Sequence, residues 1–118
     1  MRITCKFITT PKPVVVIVVM KLTGRLTLGD GYKEFREKID EGLSWGYTNF
    51  VVALEDLSYI DSTGICEILA AFTKINNAGG KMVVCGPSQK VQDLLGITKL
   101  QTAFDIVGSE EEALSKFR

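Results

Sequence analysis

The stretch YIDSTGICEILAAFTKINNAGGKMVVCG, Tyr59–Gly86, decides the fold. Its middle carries Ile65, Ile68, Leu69, Phe72 and Ile75, spaced 3, 4, 7 and 10 from the first, the period of a helix with one buried face. Asn77-Ala78-Gly79-Gly80 ends that helix, because glycine tolerates a left-handed cap. Met82-Val83-Val84-Cys85 follows as a short apolar run, the pattern of a strand covered on both faces. A helix feeding a buried strand is half of a βαβ unit. At the helix start stands Asp61-Ser62-Thr63-Gly64, which is either a cap or a chemical site.

Working outward, Phe50–Leu54 predicts a second buried strand, with the polar stretch EDLSYI as a loop into the helix. Val14–Met20, almost wholly β-branched, predicts a central strand. Ile3, Cys5 and Phe7 alternate with Thr4, Lys6 and Ile8 as a half-buried strand, joined to it by a turn at Pro11 and Pro13. Gly24-Arg25-Leu26-Thr27 is expected as a loop leading to Asp30, a cap for a helix burying Tyr32, Phe35, Ile39 and Leu43. Further on, Ser88 caps a short helix with Val91, Leu94 and Leu95 inward and Gly96 stopping it. Phe104–Val107 is a last strand, and Ser109 with Glu112 forms a capping box for a helix burying Ala113, Leu114 and Phe117. Strands alternating with helices imply right-handed crossovers. The expected fold is α/β: one domain over 1–118, a mixed, mainly parallel sheet, about four helices and an N-terminal antiparallel hairpin.

Bulk properties remove several functions. Lys+Arg and Asp+Glu both number 14, so no field draws nucleic acid or an anionic membrane. The longest apolar run, Val14–Met20, falls far short of the roughly 20 residues that span a bilayer. No secretory leader is recognisable, and Cys5, Cys66 and Cys85 are expected to be reduced and mostly buried in a cytoplasmic protein. There is no histidine, which removes Ser-His-Asp and Cys-His catalysis, His-ligated metals and histidine phosphorelay. Without a heptad or an apparent exposed apolar stripe, a monomer is expected.

Apparent motifs fail on their chemistry. Gly29 and Gly31 have G-x-G spacing, but Glu34 holds the third glycine position of a dinucleotide loop. Gly79-Gly80-Lys81-Met82 lacks the Ser/Thr of a P-loop. Cys85 heads no phosphatase loop, since Val91 stands where the arginine is needed. No acidic pair follows the first long strand to hold Mg²⁺. No catalytic residue, metal or cofactor is predicted.

Asp61-Ser62-Thr63-Gly64 remains. As structure, Asp and Ser are good caps and Gly64 permits a tight turn. A serine nucleophile lacks both the G-x-S-x-G elbow and a histidine base. A modified serine fits better: a hydroxyl at a helix start is open to a kinase, and helix N–H groups stabilise an added phosphate. The cost then falls on any partner docked there.

The segment from LEDLSYIDSTGICEILAAF to GITKLQTAFDIVGSEEEAL resembles the STAS domain, in particular the bacterial anti-sigma factor antagonists. The likeness runs from VVVIVVMKLTGRL to the last helix, through DSTG opening an apolar helix, a Gly-rich turn and an L-x-x-x-F-x-I entry to the final strand. The resemblance implies a partner switch. An anti-sigma factor that is a serine kinase binds the unmodified protein, phosphorylates it and releases it, and a PP2C-type serine phosphatase resets it. By position Ser62 is the acceptor and Thr63 the secondary candidate, with Asp61 and Gly64 shaping the helix start. Gly24, Arg25, Leu26 and Thr27 form the other partner-binding region, with G-R-L-T where the commoner pattern is G-E-L-D. The alternative is a STAS-type scaffold or small-ligand sensor with no phosphorylation, in which Ser62 is only a cap.

Overall fold

The computed structural model describes residues 1–11, 13–97 and 105–117. Five strands form one sheet in the order β1-β2-β3-β4-β5: β1 (Arg2–Pro11), β2 (Val14–Leu26), β3 (Asn49–Ile60), β4 (Lys81–Cys85) and β5 (Asp105–Val107). The β1–β2 pair is the antiparallel hairpin; every other neighbouring pair is parallel. Among the described residues there are four helices: α1 (Tyr32–Ser44), α2 (Ser62–Asn77), α3 (Gln89–Ile97) and α4 (Glu110–Ser115). Right-handed crossovers between strands in sequential order send successive helices to one face. Accordingly Phe35 and Ile39 of α1, Ile65, Ile68, Ala71 and Ile75 of α2, and Val91 and Leu95 of α3 pack on Val18, Met20, Leu22, Phe50, Val52, Leu54, Met82 and Val84. The opposite face, Ile17, Val19, Val51, Ala53, Val83 and Cys85, is closed by Ala113 of α4. Phe50–Leu54 is thus covered on both sides, as its unbroken apolar run requires.

Two stretches expected as loops are strand. β2 continues through Gly24, Arg25 and Leu26, and β3 through Glu55–Ile60, so the β2–β3 ladder reaches Leu26↔Ile60, well beyond the last β3–β4 partners, Ala53 and Cys85. Register shifts between Lys21 and Thr23 and between Gly24 and Arg25 each add a residue on the β3 side, leaving Leu54, Leu57 and Ile60 buried three apart in place of the two-residue alternation. That irregularity hides the strand from a period-two reading.

Local chemistry corrects other expectations. Asp30 caps nothing: its Oδ1 accepts from the Met1 ammonium at 2.8 Å, and Gly31, at φ 86°, takes the N-cap position of α1 without a side-chain bond. Gly96 does not stop α3, which runs to Ile97. Cys5 and Cys66 are exposed and only Cys85 is buried, since Cys5 lies on the edge strand and Cys66 on the outer face of α2. Phe104 lies outside the described residues. Phe7, Val14, Val16 and Trp45 are exposed around the amino end of the sheet, a patch invisible in sequence because three separate segments assemble it. Glu67 is 8% exposed on α2, held by Nε and Nη2 of Arg36 from α1, so the two helices are joined by a fork-shaped ion pair.

Candidate functional site

The β2–β3 extension ends where α2 begins, and Asp61 makes the corner. Its backbone is extended (φ −106°, ψ −176°) and its N–H donates to the Leu26 carbonyl at 3.3 Å. Oδ1 accepts from the Gly64 N–H at 2.9 Å, the N-cap bond of α2. Oδ2 accepts from the Leu28 N–H, also at 2.9 Å, and so fastens the Thr27–Asp30 turn to the helix start. One carboxylate therefore fixes two segments 33 residues apart.

Desolvation pushes the Asp61 carboxyl up, but the backbone N–H groups of Leu28, Gly64 and Thr63 outweigh it and hold the pKa below its ordinary value. A depressed folded-state pKa gives stability that is present above the unfolded carboxylate value and lost as pH falls through the folded one. Wild type is therefore expected to lose stability, relative to Asp61→Asn, as pH falls below the ordinary aspartate range near about 4. Urea titrations of both proteins across that range check it; parallel curves would refute it. Removing the cap altogether, Asp61→Ala, is expected to cost about 0.5–2 kcal/mol.

With Asp61 as the cap, Ser62 is the first residue of α2 and its side chain is exposed. Thr63 is half-buried, and Gly64 is buried where a Cβ would stand 2.2 Å from the Leu26 carbonyl oxygen. Among the second group, Gly24 has φ 108°, and its carbonyl accepts from the Ser58 hydroxyl at 2.9 Å. Leu26 and Thr27 are buried at 0% and 8% exposure, so they shape the corner, while Arg25 projects outward. The expected residues thus gather around one end of the sheet, with Leu26, Thr27 and Gly64 buried and Arg25 and Ser62 exposed.

Sequence reasoning missed Tyr59 and Lys90. The bulge at Gly24/Arg25 sets Arg25 opposite Tyr59 in the ladder, with its Cζ 5.2 Å from the ring centroid. Lys90, near the start of α3, brings its Nζ to 5.0 Å from the same centroid. No spacing rule joins positions 25, 59 and 90, because their meeting depends on two parallel strands and a crossover helix. Cys85, at the end of β4, is no nucleophile: burial, then the nearby Glu55 carboxylate, pushes its thiol up to about 12. Among the described residues no group of three His, Cys, Asp or Glu side chains could hold a metal ion, and no helix is long and apolar enough to cross a membrane.

Comparisons with known proteins bear on the family and the fold. A Paenibacillus polymyxa protein named anti-sigma F factor antagonist is 29% identical over 103 residues, covering 85% of this chain and 86% of its own. A Thermotoga maritima protein provisionally named anti-sigma factor antagonist is 26% identical over 102 residues, covering 86% of this chain and 90% of its own. Among solved structures, a Thermotoga maritima protein with the same provisional name superposes with TM-score 0.81 at 23% identity, over 95% of this chain and 92% of that one. The antagonist SpoIIAA in its unphosphorylated form superposes with TM-score 0.70 at 22% identity, over 98% of both chains. Its phosphorylated form, described as a Bacillus cell fate determinant, gives TM-score 0.69 at 22% identity, over 98% of this chain and 100% of that one. The sequence pattern of the STAS domain matches residues 9–113. With that match spanning both strands and helices of the site, the chain belongs to the STAS domain family.

Proposed function

We propose that this protein is a cytoplasmic anti-sigma factor antagonist, a non-enzymatic partner switch set by phosphorylation of Ser62. Unmodified, it binds an anti-sigma factor that is also a serine kinase. The Ser62 Oγ takes the γ-phosphoryl group of ATP: the Oγ–P bond forms, the bond to the β-phosphate oxygen breaks, ADP leaves and the hydroxyl proton passes to a base on the kinase. The phosphoprotein is released, and a PP2C-type serine phosphatase returns it to the start by hydrolysis. Thr63, one residue inward, is the secondary acceptor, and Gly24–Thr27 flanks the docking surface.

The observation carrying this reading is the exposed Ser62 hydroxyl at the mouth of a 16-residue helix whose cap is supplied by the neighbouring Asp61. The serine is left free of structural duty, and the first-turn amides favour the added charge. The antagonist names of the relatives support the same reading. The chain also superposes equally well on the two forms of SpoIIAA, as expected where a phosphate changes docking and leaves the fold alone.

The test is incubation with the purified cognate anti-sigma factor and ATP, followed by mass-spectrometric mapping. A single phosphate on Ser62 is expected. A modification confined to Thr63 would move the acceptor, and none on either residue would reject the switch.

A further inference from the structure

The Arg25–Tyr59–Lys90 cluster has no structural duty that accounts for it. Both cations lie on exposed residues, and among the described residues neither makes an ion pair with a carboxylate. Several other surface cations are paired: Lys21 with Asp56, Arg36 with Glu67, Lys74 with Asp40 and Lys6 with Glu110. Lys33 also lacks a carboxylate among the described residues, but Arg36, the cation that shares its Tyr32 ring, is paired. Four acids close in sequence to the cluster's residues have other partners. Asp61 accepts from Leu28 and Gly64, Asp30 holds the Met1 ammonium, Glu55 lies against Cys85, and Asp93 accepts from Gln89.

The protein also spends backbone irregularity to place Arg25. The register shift between Gly24 and Arg25 leaves Ser58 as an extra residue on β3, its hydroxyl tied to the Gly24 carbonyl, and brings Tyr59 opposite Arg25. Tyr59 precedes Ser62 by three residues, at the end of β3 where α2 begins, so the cluster and the acceptor hydroxyl lie at the same end of the sheet. Leu28, whose N–H is held by Asp61, leaves its side chain 64% exposed at that end. Two uncompensated cations fixed on an aromatic ring beside an exposed leucine make a docking face complementary to an acidic group.

Resting on the partner-switch reading, we propose that Arg25 and Lys90, positioned by Tyr59, receive an acidic side-chain cluster of the anti-sigma factor. Partner choice would thus be made by this chain's own cationic pair. The arrangement also gives the switch its sign. A phosphate on Ser62 adds about −1.5 to −2 charges beside the receptor and repels the partner's acids while competing for the same cations.

The experiment is isothermal titration of Ser62→Ala, which cannot be phosphorylated, with the purified cognate anti-sigma factor at two salt concentrations. Arg25→Glu and Lys90→Glu in that background are each expected to weaken binding about tenfold or more, and the double variant is expected to lose most of the salt dependence. Tyr59→Phe, which keeps the ring, is expected to bind as the parent does, whereas Tyr59→Leu is expected to weaken binding. Unchanged affinity on both charge reversals overturns the proposal, even if the same reversals made with Ser62 intact alter the ³¹P titration of the phosphoprotein, because the cations would then serve the modified serine. A second arm needs no partner: amide shifts of the full chain are followed with acetyl-tetraglutamate amide and, as a control, its tetralysine counterpart. Shifts at residues 25, 59 and 90 with the acidic peptide alone support the receptor, and their absence overturns it. Should the anti-sigma factor fail to bind the parent protein, the switch reading falls and the peptide arm decides the receptor separately.

Discussion

Ser62→Asp is expected to weaken binding to the cognate anti-sigma factor by about 10²- to 10⁴-fold, whereas Ser62→Ala binds as the unmodified protein does and is no longer released by ATP. That range corresponds to about 3–5.5 kcal/mol. A carboxylate at position 62 must be desolvated when a partner covers the helix mouth, next to the Asp61 carboxylate that already occupies the cap. Because aspartate carries one charge where phosphoserine carries nearly two, the lower part of the range is expected for the mimic and the upper part for the phosphoprotein. Both variants should keep the wild-type fold. The Ser62 side chain is exposed and Asp61 supplies the cap, so Ser62→Ala should stay within about 0.5 kcal/mol of wild type. If Ser62 were itself the cap, the alanine variant would lose about 0.5–2 kcal/mol with no change in affinity. Calorimetric titration together with urea denaturation separates the two outcomes, and an unaffected Ser62→Asp complex would defeat the switch.

The sequence exposes those parts of the fold where one physical period runs uninterrupted. The α2 stripe from Ile65 to Ile75, the all-apolar Phe50–Leu54 and the short run ending at Cys85 each lie in a single environment, and each is helix or strand as its pattern predicts. Legibility fails where two elements share one task. Glu55–Ile60 looks like a loop because extra residues scramble its alternation, and Gly24–Leu26 because a glycine and an arginine interrupt its apolar run, yet their backbones pair with each other. Asp30 looks like a cap because its competing partner, the Met1 ammonium, is 29 residues away. The candidate site divides in the same way. Asp61 is legible as a capping residue from its neighbours alone, while its second bond, to Leu28, needs the turn that only the folded β2 end delivers. Tyr59 and Lys90 carried no local signal at all.

The geometry of that corner makes Gly64→Ala the most damaging single-methyl change at the site. Gly64 is not needed for an unusual φ; it is needed for room. An added Cβ would stand 2.2 Å from the Leu26 carbonyl oxygen and 2.8 Å from Ile60 Cγ1. The Ile60 side chain is fully buried, and Leu26 cannot retreat because it pairs with Ile60 in the ladder while its carbonyl accepts from the Asp61 N–H. The clash must therefore be relieved by moving the start of α2 away from the end of β2. That movement breaks the Asp61–Leu28 tie and shifts Ser62 relative to Arg25. Alanine's better helix propensity returns at most about 1 kcal/mol, less in a first turn, against about 3 kcal/mol for overpacking a rigid contact. A net loss of about 2 kcal/mol and a fall in Tm of roughly 10 °C are expected, measured by urea denaturation and calorimetry against Cys66→Ala on the exposed face of the same helix. Stability equal to that control would mean that the helix start stands farther from Leu26 than this contact allows. The end of the sheet shared by Ser62 and Arg25 would then lose its fixed geometry.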